Sequence, residues 1–197
     1  MADRYSYIPS IGLFFIAAEG FNWLYRSKLK PIKIAKPILA ILLIGILGTF
    51  SYLTWRRCQV WRDNISLWDD VLKKYQNTPI AYNNRGEAYL RKGDYERAIA
   101  DYHQALKIKP NDANAYHHLG TAYLNKGDFE GAISDFNKAL AINPKYAATY
   151  FNKALACEKI GNLREAVEAY RGFIENASPQ QANYIHYAKE RIRELSK

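Results

Sequence analysis

The chain is poor in the residues from which reactive centres are built. Its 197 residues include two cysteines, one methionine and four histidines. Cys58 and Cys157 lie far apart and without metal-ligand spacing, which excludes a disulfide framework and a zinc ribbon. His103, His117, His118 and His186 form no metal motif, and the adjacent His117 and His118 point about 100° apart on a helix, too far to share an ion. No glycine-rich phosphate loop is present. Aspartates and glutamates are scattered along the chain, without the close pair that acid–base catalysis uses. The expectation is therefore no catalytic residues, no cofactor and no metal.

Charge is also unevenly short. The chain carries a net +9, but residues 1–62 hold nine Lys and Arg against Asp3 and Glu19, a net +7. Residues 63–197 are left with only +2. A nearly balanced C-terminal part offers no polyanion-binding field, so nucleic acid is not an expected partner. The basic excess lies beside apolar segments, where such residues set membrane orientation.

Pro37–Trp55 is nineteen residues without a charge, ten of them Leu, Ile or Phe. A membrane-spanning helix needs about 20 apolar residues. At roughly 0.3–0.6 kcal/mol for each large apolar residue, this stretch gains about 3–6 kcal/mol on insertion. Tyr52 and Trp55 fit the interfacial aromatic belt. The segment 37–55 is the expected membrane span. A second apolar segment, 8–25, contains Glu19 and Asn22; an acid at mid-membrane costs about 2.5–3.5 kcal/mol, so it either spans as half of a helical hairpin or lies in the interface. Arg26, Lys28, Lys30, Lys33 and Lys36 fall between the two segments, against Arg56, Arg57 and Arg62 beyond the second. That bias places the inter-segment loop in the cytoplasm and residues 63–197 on the extracytoplasmic side. Cys58 stands beside the span, as a lipidation site or as a plain interfacial residue.

The rest of the chain repeats itself. Pro79–Asp112, Ala113–Tyr146 and Ala147–Gln180 align as three blocks of 34 residues. Shared columns are Tyr82/Tyr116/Tyr150, Gly86/Gly120/Ala154, Tyr89/Tyr123/Cys157, Gly93/Gly127/Gly161, Ala98/Ala132/Ala166, Tyr102/Phe136/Tyr170 and Ala105/Ala139/Phe173. Pro110 and Pro144 close the first two blocks. The pattern implies two helices per block, A and B. Small residues at 86, 120 and 154 allow close packing of A on B. Glycine followed by Asp or Asn turns the chain and caps helix B, and proline ends it. Ile65–Tyr75 reads as a lone helix B in a half repeat, 63–78. Gln181–Ser196, within 181–197, reads as a closing amphipathic helix with Tyr184, Ile185, Ala188, Ile192 and Leu195 inward and Lys189, Glu190, Arg193 and Glu194 outward.

These columns resemble the tetratricopeptide repeat. The resemblance implies an all-α solenoid whose A helices line a concave face that takes a protein or peptide ligand. It places Asn83, Asn84, Glu87 and Arg91 on that face from the first block, His117, His118, Thr121 and Asn125 from the second, and Phe151, Asn152, Leu155 and Lys159 from the third. Asn84 and Asn152 could hydrogen-bond a peptide backbone, because an amide both donates and accepts. A clamp for a terminal carboxylate needs clustered Lys or Arg; Glu87 and Ala148 do not supply it.

The N-terminus, Asp3-Arg4-Tyr5 followed by Tyr7-Ile8-Pro9-Ser10-Ile11-Gly12, resembles a late membrane segment of protein O-mannosyltransferase-like glycosyltransferases, one branch of which carries C-terminal tetratricopeptide repeats. That resemblance assigns Arg4 to a lipid-linked phosphate, which a guanidinium pairs in a fork geometry; the plain alternative is an ion pair with Asp3. Such enzymes have many spans and an early acidic catalytic residue, neither of which precedes Asp3. The leading expectation is thus a membrane-anchored repeat scaffold for protein–protein interaction that also contacts membrane lipid. The alternative is the catalytically incomplete C-terminal part of a polyprenyl-phosphate-sugar-dependent protein O-glycosyltransferase whose repeats present acceptor proteins.

Overall fold

The computed structural model describes residues 19–20, 35–60 and 63–196. The Asp3-Arg4-Tyr5 motif, nearly all of segment 8–25 and the basic residues Arg26, Lys28, Lys30 and Lys33 lie outside the described residues. The chain divides into two compact units, Met1–Gln59 and Val60–Lys197.

The first unit contains all but the last residue of α1, Ala35–Val60. Its 26 residues are about 39 Å long at 1.5 Å per residue. The described side chains of its central part stand outward, including Ile41, Ile44, Phe50 and Trp55. The Thr49 hydroxyl donates to the Gly45 carbonyl at 2.6 Å, which satisfies that polar group within the helix. Among the described residues no helix is long and apolar enough to cross a membrane. In α1 the described side chains are those at 41–42 and 44–56, so the uncharged stretch that begins at Pro37 lies partly outside them.

The second unit is all helix among its described residues: α2 (Asn64–Lys74), α3 (Pro79–Arg91), α4 (Tyr95–Ile108), α5 (Ala113–Lys126), α6 (Phe129–Ile142), α7 (Ala147–Lys159), α8 (Leu163–Asn176), a 3-10 turn (Pro179–Gln181) and α9 (Ala182–Leu195). Each block is an antiparallel pair: α3 with α4, α5 with α6, α7 with α8. The turns form as the sequence requires. Gly93, Gly127 and Gly161 sit at φ of 79°, 91° and 78°, the left-handed region that glycine adopts without a steric penalty. The next residue, Asp94, Asp128 or Asn162, caps the B helix by accepting from the backbone N–H three residues on.

The core is a stack of small and aromatic residues. Tyr102, Phe136 and Tyr170 are fully buried, one in each B helix. The small-residue column exists for them: a Cβ on Gly120 would sit 2.7 Å from the Phe136 ring, and one on Gly86 would sit 2.9 Å from Tyr102. Buried alanines at 98, 132 and 166 let the helices approach. Cys157 is packed in the same core, and burial pushes its thiol up to about 11, so it is not an available nucleophile at neutral pH.

The ends are closed as the pattern implies, with one difference. α2 packs on α3 and buries Leu72, and α9 packs on α8 through fully buried Ala188. Ile185, Ile192 and Leu195 are partly buried against the same cluster. Tyr184, expected inward, is instead 57% exposed. Its ring sits edge-on to Phe151, with centroids 5.4 Å apart, at the border of the stripe rather than in it.

Candidate protein-interaction groove

The curvature follows from which helices touch. α3 contacts α5, and α5 contacts α7, whereas successive B helices make no comparably close contact. Hydrogen bonds join the A helices directly: His117 to Thr149 at 2.9 Å, and Asn152 Nδ2 donating to Thr121 Oγ1 at 3.3 Å. Close A-to-A spacing puts α3, α5 and α7 on the inner side of the bend.

On these helices Asn83, Asn84, Glu87, His118, Thr121, Phe151, Asn152 and Leu155 are half-buried, the exposure of residues on the floor of a groove. Arg91, Asn125 and Lys159 are exposed near the C-terminal ends of the A helices. Thr121 turns part of its capacity inward, donating to the His117 carbonyl at 2.9 Å.

His117 departs from the groove-lining set. It is buried, with its Nδ1 on the Thr149 hydroxyl and its ring stacked on Tyr146, centroids 4.7 Å apart. The physical reason is the chain just before α7: Tyr146, the N-cap residue of that helix, covers the imidazole. Burial, reinforced by the neighbouring His118, pushes its pKa down to about 4, so it is neutral at ordinary pH. His118 is also lowered by burial, with Glu87 and Asp112 acting in the opposite direction. Its ring lies over Tyr102, centroids 5.8 Å apart.

The groove carries little unopposed charge. Arg91 pairs with Glu87 at 2.5 Å, and Arg191 pairs with Glu158 at 2.5 Å. Arg191 also bonds Glu194. No cluster of free cations forms a carboxylate clamp among these residues. At the third-repeat end the surface becomes aromatic: Phe151 meets Phe173, Tyr170, Tyr184 and Tyr187 with centroids 5.1–6.0 Å apart. Tyr187 is 41% exposed, so it and Tyr184 extend the aromatic patch into solvent.

Two features escaped the sequence reading. Tyr187 lies three residues beyond Tyr184 on α9, and that spacing puts both on one face. The second is an ion cluster behind the groove. Arg85 donates to Asp101 through Nε and Nη2 at 2.8 and 2.6 Å, and to Asp69 through Nη1 at 2.7 Å. Leu119 and Lys153 occupy the Arg85 column, so no repeated column marks this cluster in the sequence.

A shallow cavity of about 410 Å³ lies between α7 and α8, lined by Tyr150, Lys153, Asn162, Arg164, Glu165 and Glu168. Its charges are matched within its own wall, Lys153 to Glu165 at 2.8 Å and Arg164 to Glu168 at 3.6 Å. Among the described residues no group of three His, Cys, Asp or Glu is placed to hold a metal ion.

Family models described as TPR repeat match residues 86–127, and those described as tetratricopeptide repeat match 113–146 and 136–168. No curated protein sequence matches the chain. Many solved structures share the fold. The first TPR of Spaghetti (RPAP3), bound to the HSP90 peptide SRMEEVD, is 24% identical; the match covers 60% of this chain and 94% of that one, with a TM-score of 0.56. The TPR2B domain of yeast Sti1 in complex with pHsp70 is 24% identical over 60% of this chain and 95% of that one, with a TM-score of 0.55. The Sgt2 TPR domain from Aspergillus fumigatus is 27% identical over 60% and 81%, with a TM-score of 0.53. With three matching repeat models on three in-phase helix pairs, residues 86–168 consist of tetratricopeptide repeats.

Proposed function

We propose that this chain is a membrane-anchored scaffold that holds a protein or peptide segment along the inner face of α3, α5 and α7. One observation carries the reading: half-buried polar side chains, Asn83, Asn84, Glu87, His118, Thr121 and Asn152, line the face on which the A helices converge. Such groups on a rigid helical surface suit recognition, because little ordering entropy remains to be lost on binding. The peptide-bound neighbours support the mode of binding but not the identity of the ligand. Replacing Thr121 and Asn152 together by arginine fills the groove with two long charged side chains. Partner binding falls at least about tenfold, as for a central interface position, while stability falls only by the worth of the lost Asn152–Thr121 hydrogen bond, about 0.5–1.5 kcal/mol. Unchanged binding sinks the proposal.

Anchoring rests on the uncharged Pro37–Trp55 stretch and on the outward apolar side chains of α1. The Lys and Arg bias across that stretch places the repeats on the extracytoplasmic side. The chain is expected to stay with the membrane through alkaline carbonate extraction, and protease added to sealed native membranes from outside is expected to digest the repeats. Release by carbonate rejects the anchor, and digestion only after the membrane is opened reverses the orientation. A second reading rests on the Asp3-Arg4-Tyr5 and Tyr7–Gly12 segment together with its position before apolar segments and repeats: the chain is the C-terminal part of a protein O-glycosyltransferase, and its repeats present acceptors. Sugar transfer by a longer version of the chain, abolished by Arg4→Ala, is the result that reading requires.

A further inference from the structure

Positions 83, 117 and 151 are one column, a repeat apart on successive A helices, and they change character along the groove. At the first-repeat end the Asn83 side-chain oxygen is buried and has no hydrogen-bond partner among the described residues. A buried polar atom left without a hydrogen bond is costly, and a ligand group that pairs with it recovers that cost. The Asn83 side chain as a whole is only half-buried, so rotation of its amide presents either its oxygen or its nitrogen outward. In the middle, His117 is satisfied internally by Thr149. At the third-repeat end Phe151 is the centre of an aromatic cluster whose outer members, Tyr184 and Tyr187, are 57% and 41% exposed. Exposed tyrosines bring contact area at low entropic cost.

Charge decides the class of ligand. Two of the groove's cations are matched by its own carboxylates, Arg91 by Glu87 and Arg191 by Glu158, which leaves exposed Lys159 as a single charge, too little to clamp an acidic tail. An acidic tail would have to break these pairs, whereas an uncharged segment leaves them intact. Adjacent helix axes lie about 8–10 Å apart, so the two steps from Asn83 to Phe151 span about 20 Å; the Tyr184 ring lies a further 5.4 Å beyond Phe151, which brings the span to roughly eight extended residues at about 3.3 Å each.

We propose that the groove takes an uncharged, extended peptide segment with an amide-bearing residue against Asn83 and an aromatic or proline residue, about eight positions away, against Tyr184 and Tyr187. This rests on the peptide-binding reading above and names its ligand chemistry.

The test is titration calorimetry on the full chain in detergent, with N-acetylated, C-amidated synthetic peptides. One set carries glutamine and tyrosine about eight positions apart in a serine–alanine spacer, in both directions; the comparison peptide is SRMEEVD. The neutral peptide in one direction is expected to bind about tenfold tighter than the acidic one. Tyr184→Ala with Tyr187→Ala, both surface changes, is expected to weaken it about tenfold and to have no further effect once the peptide's tyrosine is alanine. Asn83→Leu is expected to weaken the glutamine peptide several-fold, but not its leucine counterpart. Binding of SRMEEVD at least as tightly, lost on Arg91→Ala, overturns this chemistry and keeps the groove. Neutral-peptide binding that ignores the tyrosine pair also overturns it. Binding of no peptide of either kind removes both readings.

Discussion

Replacing Arg85 by alanine is expected to destabilise the repeat unit by about 3–5 kcal/mol, the cost of breaking a buried ion pair from one side. Asp101 is the reason. Its side chain is only 7% exposed, and Arg85 supplies two of its hydrogen bonds through one guanidinium. The hydrogen bond to Asp101, joined by that to Asp69 and by both carboxylate charges, raises the pKa of Arg85 further above the already high arginine range. Asp69 contributes less, being 41% exposed and screened by water. The loss arises from an orphaned charge rather than from the worth of the pair, so the double replacement Arg85→Leu with Asp101→Ala is expected to regain most of the stability. Those are the residues of other repeats in the same columns, Leu119 and Ala169. Urea unfolding of the two single variants and the double variant measures this. A double variant as weak as the sum of the singles would show that the triad contributes net stability of its own.

Lowering the pH from 7 to 5 is expected to cost the same unit about 2 kcal/mol through His117 alone. The sign follows from the direction of its shift. Folded His117 has a pKa near 4, below the ordinary 6.5, because burial disfavours its cation. The unfolded chain therefore binds the proton first. The stability is fully present above pH 6.5, falls as pH drops through the window between 6.5 and 4, and is gone below that; the whole window amounts to about 3 kcal/mol. His118, lowered by the same cause, adds to the loss. The variant His117→Asn, which places there the residue that the first repeat has at position 83, should flatten the dependence between pH 7 and 5. Urea midpoints at the two pH values decide it. An unchanged slope in the variant would mean that other groups carry the acid sensitivity.

How much of this was legible in the sequence varies with the range of the interaction. The turns and caps were, because Gly93-Asp94 and its counterparts at 127–128 and 161–162 act through a backbone conformation and a bond three residues away. The close packing of A on B was also legible, because a missing Cβ at 86 and 120 has one plain use. The surroundings of the groove were less so. His117 shares a column with Asn83 and Phe151, but its fate depends on Tyr146 and Thr149, about thirty positions on, which fold over it. Tyr184 matched the inward stripe of its helix by spacing alone, and only packing against Phe151 shows that it sits at the edge. Arg85 and Asp101 are sixteen residues apart on two helices; each looks like an ordinary surface charge until the helices pair.

The central claim is that a protein or peptide segment lies on the inner face of the A helices. The most direct test is site-specific photocrosslinking in native membranes, with a benzophenone amino acid placed singly at Thr121, Asn152, Asn137 and Glu168. The first two lie on the inner helices α5 and α7, and the last two are exposed on α6 and α8. The account expects Thr121 and Asn152 to yield one shared adduct, competed away by an excess of unlabelled repeat unit, and Asn137 and Glu168 to yield none of it. The same adduct from the outer positions, or from those alone, would contradict the account.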